Sequence, residues 1–447
     1  MPVRLTVLLA SAVLGVLALG TASQLGFTYA GRLVALPQAR RDLLTTAAKV
    51  VATHPAFNGA SPPARSSARY LAYVHHVAGG LREPLPYWRL IEAEDLVLNY
   101  LHDPHTSLEQ DWSPAFSPDL LPVGFDWAQG GLVAYRVADS PAALGTGDRV
   151  LAIGGIPTRR LLGRMRRYFS GNGPWLRTLA GDFLPFGDTL RWLGLEHANA
   201  VRLDLRRPSG QTYSLAVPLV PEGFVSDWSY LKGQNWFVDR FVAPQGMADT
   251  SDTFYAWRLT PDYGIFWLRR CEETQGFEVA VAAFFRAVQA SGVHYVVIDL
   301  QQNPGGTSIV ADAFLKHLEI RGAYRNAWSP ANPREIFHGK LYVLVDGGTM
   351  SSGVDVAEQL TEEGYGELVG SPAGLASAAW GNVQMFSTPD GLLSYQVSTN
   401  FVPAVNGRLT PALMPQAALP LTVQDIQTGV NPVARWLSSL ATPRVKT

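Results

Sequence analysis

Two short stretches place residues capable of acyl-transfer chemistry where an apolar run turns into a helical pattern. In "DGGTMSSGVDVAEQL", Asp346–Leu360, Ser351 and Ser352 stand at the start of the helical pattern. A helix N-terminus offers free N–H groups and a dipole that favour negative charge, so a serine there could be a nucleophile. In "IDLQQNPGGTS", Ile298–Ser308, the pair Gly305–Gly306 permits a tight turn whose outward N–H groups could hold an anion or a developing oxyanion. Each stretch also has a plainer explanation. A Gly-Gly turn after a strand is usually only a turn, and a serine before a helix is usually an N-cap, stabilising by about 1 kcal/mol. What sets them apart is the pairing: both follow strands of one expected sheet, at the strand ends where open α/β sheets bind ligands.

The elements that must position them follow from periodicity. "YGIFWL", "HYVVIDL" and "KLYVLVDG" are apolar runs alternating with helical patterns, which predicts a parallel sheet covered on both faces, an α/β domain over 252–447. Before it, 118–222 reads as a β-rich domain of short strands and turns, with a helical insert over roughly 161–195. "VRLDLRRPSGQTYSLAVPL" is a hairpin turning at "PSGQ". Residues 223–252 read as a connector. Residues 36–115 read as helical: Leu90, Ile91, Leu96, Val97 and Leu101 recur at helical spacing until Asp103-Pro104 stops the helix.

"VVIDLQQNPGG" followed by "LYVLVDGGTMSSG" resembles the C-terminal processing (tail-specific) and tricorn-type serine peptidase family. "LPVGFDWAQGGLVAYRV" and "GDRVLAIGGIPTRRLL" are similar to that family's PDZ-like domain, "LHDPHTSL" to its DxHT segment, and "LMPQAALPLTVQDIQTGVNPVARWL" to its C-terminal tail. The resemblance implies a crotonase/ClpP-like catalytic sheet domain with an N-terminal helical segment and an inserted PDZ-like β domain. It implies Ser351 as the nucleophile, and Gly305 and Ser352 as donors of the oxyanion hole. It implies no cofactor and a peptide or protein as substrate.

The general base separates two branches of that family. In the processing-protease branch it is a lysine about 25 residues after the nucleophile; here that position is Ala376. Only five lysines occur, and Lys340 begins the strand that leads to Ser351. A strand of that length spans about 20 Å, which puts Lys340 at the wrong end of the sheet. The histidine branch is the alternative, with His105 of "DPHTSL" as base and His102 as fallback; an imidazole suits proton transfer near neutral pH. His54 in "THPAF" reads as a packing or substrate-side residue, and Ser352 as the N-cap. The third, orienting carboxylate is left unassigned among Asp103, Asp355 and Glu358.

Bulk properties narrow the remaining classes. A formal net charge of −1 gives no reason to expect nucleic acid. One cysteine, Cys271, permits neither an internal disulfide nor a cysteine cluster, and the scattered histidines lack an HExxH pair, so no metal is expected. "MPVRLTVLLASAVLGVLALGTAS" opens with a basic start and a long apolar run, the pattern of a signal peptide or a membrane anchor over 1–30. That predicts an exported protein, periplasmic, secreted or membrane-anchored, and of bacterial type. The competing functions are a non-catalytic relative that binds peptides in the cell envelope and a crotonase-like acyl-CoA enzyme. An α/β-hydrolase is disfavoured because no G-x-S-x-G elbow surrounds Ser351.

Overall fold

The computed structural model describes residues 33–58, 65–109, 119–138, 144–145, 147–221, 228–230, 254–319, 336–404, 407–428 and 430–440. The N-terminal apolar run lies outside them, as does most of the connector. Among the described residues no helix is long and apolar enough to cross a membrane.

Three longer helices lead the described chain, α1 Leu36–Thr53, α2 Ser67–Gly80 and α3 Tyr87–Leu98, with a four-residue helical turn, Pro55–Asn58, between the first two. They pair their apolar faces through Leu43, Ala47, Val50, Tyr70, Val74, Leu90 and Val97. A one-turn 3₁₀ segment, Asn99–Leu101, ends α3, and the chain turns through Asp103–Thr106 into a two-residue strand, β1 Ser107–Leu108. The helical reading of 36–115 therefore stops short. From Asp103 onward the chain forms a turn and strand, because Asp103-Pro104 breaks the helix and β1 finds a partner far along the chain.

A second unit is an antiparallel sheet. Its main strands are β2 Val123–Ala128, β3 Gly131–Ala138, β4 Arg149–Ile153, β5 Ala200–Arg206 and β6 Thr212–Pro218. The last two form the hairpin expected around "PSGQ", from Ala200↔Pro218 to Arg206↔Thr212. Three helices, α4 Thr158–Met165, α5 Gly173–Phe183 and α6 Gly187–Trp192, are inserted between β4 and β5. Their apolar residues Leu161, Leu176 and Leu190 close the core over Phe125, Leu132 and Leu203.

The third unit is a six-stranded sheet in the order β7-β8-β9-β10-β11-β14. These strands are β7 Tyr255–Leu259, β8 Tyr263–Leu268, β9 Tyr295–Asp299, β10 Lys340–Val345, β11 Glu367–Gly370 and β14 Ala417–Ala418. Only β7 runs antiparallel to its neighbour; β8, β9, β10, β11 and β14 are parallel. On one face Val296, Ile298, Val343 and Val345 meet α7 Phe277–Ser291, α8 Val310–Leu315 and α9 Ser352–Glu362. On the other, Val297, Tyr342, Leu344 and Val369 meet the C-terminal helix α11 Pro432–Ser439, which follows a short helix, α10 Val423–Thr428. Both faces are covered, which explains the unbroken apolar runs of β8–β10.

The region after α9 departs from expectation. The strand in "LLSYQVSTNFVP" does not join the parallel sheet. It is β13 Ser394–Val402, paired with β12 Ala379–Ser387, and its other edge takes β1 through Ser107↔Gln396 and Leu108↔Tyr395. This hairpin docks Leu393, Tyr395 and Val397 into the core of the N-terminal helices. One hairpin thus joins the first unit to the third.

Phe266, fully buried, meets Phe277, Phe284 and Phe314 edge to face, with centroids 6.1, 5.6 and 5.1 Å away. Phe266→Ala should cost about 3–5 kcal/mol, read as a lowered urea midpoint with an unchanged slope.

Candidate active site

The site is built on the ends of β9 and β10. After β9, Asn303 is fully buried and ties the turn together. Its Oδ1 accepts the N–H of Gly305 at 2.8 Å and the Cys271 thiol at 3.5 Å, and its Nδ2 donates to the Leu268 carbonyl at 2.9 Å. Its own carbonyl accepts the Met350 N–H at 2.8 Å, which fastens the turn after β9 to the one after β10. A second tie runs alongside: Thr349 Oγ1 donates to the Leu300 carbonyl, and Gln302 donates to the Asp346 carboxylate from both backbone and side chain. The Cys271 thiol, enclosed here, has its pKa pushed up to about 12, mainly by burial, and stays a thiol.

Ser351 lies at the cap position of α9, with φ 49° and ψ −130°, a left-handed conformation that is costly for a residue with a β-carbon. Its hydroxyl does not cap the helix. Ser352 is the first helical residue, not the N-cap expected for it, and its hydroxyl donates to the Gly306 carbonyl at 3.0 Å. The backbone N–H of Ser352 makes no hydrogen bond among the described residues, as an oxyanion donor requires. Gly305 is placed differently from expectation. It presses against Ser351, since a β-carbon there would stand 2.5 Å from Ser351 Cβ, but its N–H already donates to Asn303 Oδ1. The next N–H, of Gly306, makes no hydrogen bond among the described residues, and the carbonyl of that residue faces Ser352.

His105 belongs to the turn between α3 and β1, a turn organised by Asp103. That carboxylate has no solvent exposure. Its Oδ2 accepts Ser398 Oγ at 2.6 Å, Thr106 Oγ1 at 2.7 Å and His54 Nε2 at 3.2 Å, and its Oδ1 accepts the His105 N–H at 3.0 Å. Burial alone would favour the neutral acid. The hydrogen bond from His54, the nearness of His105 and the Ser398 hydroxyl outweigh it and hold the pKa below the usual carboxylate value. The stability from this ionised centre is therefore complete above the ordinary value of 3.8 and lost as pH falls below it.

The three histidines are now distinguishable. His54 Nδ1 accepts the Ala56 N–H at 3.1 Å, which puts the proton on Nε2 and commits both nitrogens. His54 thus supports Asp103 and has no free nitrogen. His102, the fallback base, is exposed, in a left-handed turn. In His105 both ring nitrogens are buried and make no hydrogen bond among the described residues; Nδ1 lies 3.8 Å from Asp103 Oδ1. No hydrogen bond joins His105 to Ser351 in this structure.

Residues 371–378, which include Ala376, run from the turn beside Ser351 toward the hairpin that carries Ser398. Gly374 N–H donates to the Thr349 carbonyl at 2.9 Å, and the same segment leads into β12. Lys340 pairs with Glu367 at 2.8 Å at the start of β10, the end of that strand opposite Ser351. Among other carboxylates, Asp355 is one turn beyond Ser351 on α9, and burial pushes its pKa up to about 6. That suits it poorly to hold an imidazolium, whereas Asp103 stays ionised beside His105.

Replacing Gly305 by alanine should drive a β-carbon into Ser351. The expected result is loss of at least about a hundredfold in active-serine labelling with an unchanged circular dichroism spectrum.

The peptidase family S41 model matches residues 270–408 of this chain. No curated protein sequence matches it. Among solved structures it is similar to mature CPAF, with a TM-score of 0.65 at 13% identity over 90% of this chain and 96% of that one. The complex of mature CPAF with lactacystin gives 0.63 at 13%, over 91% and 97%. The photosystem II D1 C-terminal processing protease gives 0.39 at 17%, over 85% and 92%.

Proposed function

We propose that this chain, whose residues 270–408 match the peptidase family S41 model, is a serine-type peptidase in which Ser351 is the nucleophile and His105 the base, oriented by Asp103. The observation that carries the reading is the buried Asp103–His105 pair, in which one imidazole is left with both nitrogens uncommitted beside an ionised carboxylate. A small ring movement would let Nδ1–H donate to Asp103 Oδ1, leaving Nε2 free to take the Ser351 proton.

The reaction is acyl transfer to water. The Ser351 oxygen attacks a peptide carbonyl as His105 accepts its proton. The Ser352 N–H receives the oxyanion, a contribution of about 3 kcal/mol to the barrier for such a donor. The Gly305 N–H would have to release Asn303 to join it, so Gly306 is the better-placed second donor. His105 then protonates the leaving amine, and water releases the acyl group by the same steps in reverse. The antiparallel unit of β2–β6 serves as the PDZ-like peptide-binding module, taking an extended segment by strand addition. The apolar N-terminal run exports the protein, and a peptide or protein of the cell envelope is the substrate.

The non-catalytic alternative rests on one observation: Ser351 and His105 are not hydrogen-bonded here. Labelling with a fluorophosphonate separates the readings. Wild type should be labelled, and Ser351→Ala and His105→Ala should not. Asp103→Asn should slow labelling by about a thousandfold or more, as loss of the orienting carboxylate does in a serine triad. Labelling that survives Ser351→Ala would overturn the assignment, and a folded wild type that never labels would favour the binding module.

A further inference from the structure

A second group of titratable side chains lies away from the reacting residues, between the N-terminal helices and the β12–β13 hairpin. Glu94 on α3 is fully buried, and neither of its carboxylate oxygens has a hydrogen-bond partner among the described residues. The groups facing it come from every element packed around it. From α1 come Asp42 and Thr46, with Arg41 acting on Asp42 from the helix surface. From α2 comes Tyr70, from the hairpin turn Asp390, and from β13 Tyr395. The hydroxyls of Tyr70 and Tyr395 are buried without hydrogen-bond partners. Among the described residues, the groups that act on Glu94 are Thr46, Asp42 and Asp390, none of them a cation.

Such a cluster cannot remain uniformly charged, since a buried carboxylate beside two others is costly without a counter-charge. Among the described residues no group of three or more acidic, histidine or cysteine side chains could hold a metal ion. A proton is what the cluster can take up. Burial first, then the neighbouring Asp42 and Asp390, pushes the Glu94 pKa up to about 8, against the opposing effect of Thr46. Burial and Asp390 push Asp42 up to about 6. Both contribute stability that is complete below their ordinary values of 4.5 and 3.8 and is lost as pH rises through the raised ones.

The cluster touches both supports of the proposed base. The helix bearing Glu94 runs through Asn99–Leu101 to Asp103 and His105. The hairpin strand bearing Tyr395 pairs with Leu108 and, three residues on, supplies Ser398 to Asp103. We propose that Glu94 is a positioning residue for the Ser351 reaction: its neutral form holds α1 and α3 against the hairpin, and its ionisation loosens the frame that carries Asp103 and His105. This rests on the Ser351–His105 reading, and the test separates the two.

Fluorophosphonate labelling rates of the full-length protein, followed against pH, read the device. In wild type the rate should fall about tenfold between about pH 7 and about pH 9, the change in the protonated fraction of a group titrating near 8. Glu94→Gln should lose that fall. Asp390→Asn, which removes a neighbouring negative charge, should move the fall to lower pH. A fall of the same size and position in Glu94→Gln, or no fall in wild type, overturns the proposal. If wild type does not label at any pH, the Ser351–His105 reading fails, and the device is judged by hydrogen exchange of residues 99–108 corrected for intrinsic rate. Alkaline loss of protection in wild type but not in Glu94→Gln sustains it; equal loss in both overturns it.

Discussion

The structure turns on one buried charge. Asp103 has no contact with water, and an isolated carboxylate in that position would cost several kcal/mol. It is tolerated because four donors converge on it from three places in the chain: His54 after α1, Thr106 and the His105 backbone in its own turn, and Ser398 on β13. The bonds to His54 and Ser398 span 49 and 295 positions, so the carboxylate can keep its charge only when the N-terminal helices and the hairpin are assembled. Satisfying Asp103 and placing His105 are the same event.

Asn303 plays the corresponding part beside Ser351, without charge. It uses side chain and backbone to bind two strand ends and the preceding strand, and Ser351 is held in a strained conformation against the turn so formed. The strain keeps the hydroxyl out of the capping role that a serine at this position usually adopts. The candidate residues thus rest on two supports, Ser351 on the parallel sheet and His105 on helices and hairpin, and residues 371–378 lead from the first to β12 of the second.

The parallel strands were legible because both faces are buried, which leaves unbroken apolar runs between helical patterns. The glycine turn and the serine pair stood out for the same reason, since small residues at the end of such a run have few other uses. The hairpin was harder to read. Much of β12 is exposed and lacks alternation, so nothing local announces that it pairs with β13 or that β13 reaches back to β1. The role of Asp103 is not legible locally because two of its partners, His54 and Ser398, are distant in sequence, and Ser398 sits in no motif. Ser352 was read as the cap because sequence does not show which of two adjacent serines takes the left-handed turn. The Gly305 N–H was read as free because a glycine pair does not reveal that an asparagine two residues earlier folds back on it.

In the proposed reaction Ser351 and His105 act as a pair although no hydrogen bond joins them here. A crystal structure of the protein carrying a phosphonate adduct on Ser351 tests it most directly. His105 Nε2 should lie within about 3.2 Å of the adduct or of Ser351 Oγ, with Nδ1 drawn onto Asp103. The adduct oxygen should lie against the Ser352 N–H. An adduct on Ser351 with His105 still uncommitted, and another group in contact with the serine oxygen, would contradict the assignment of the base.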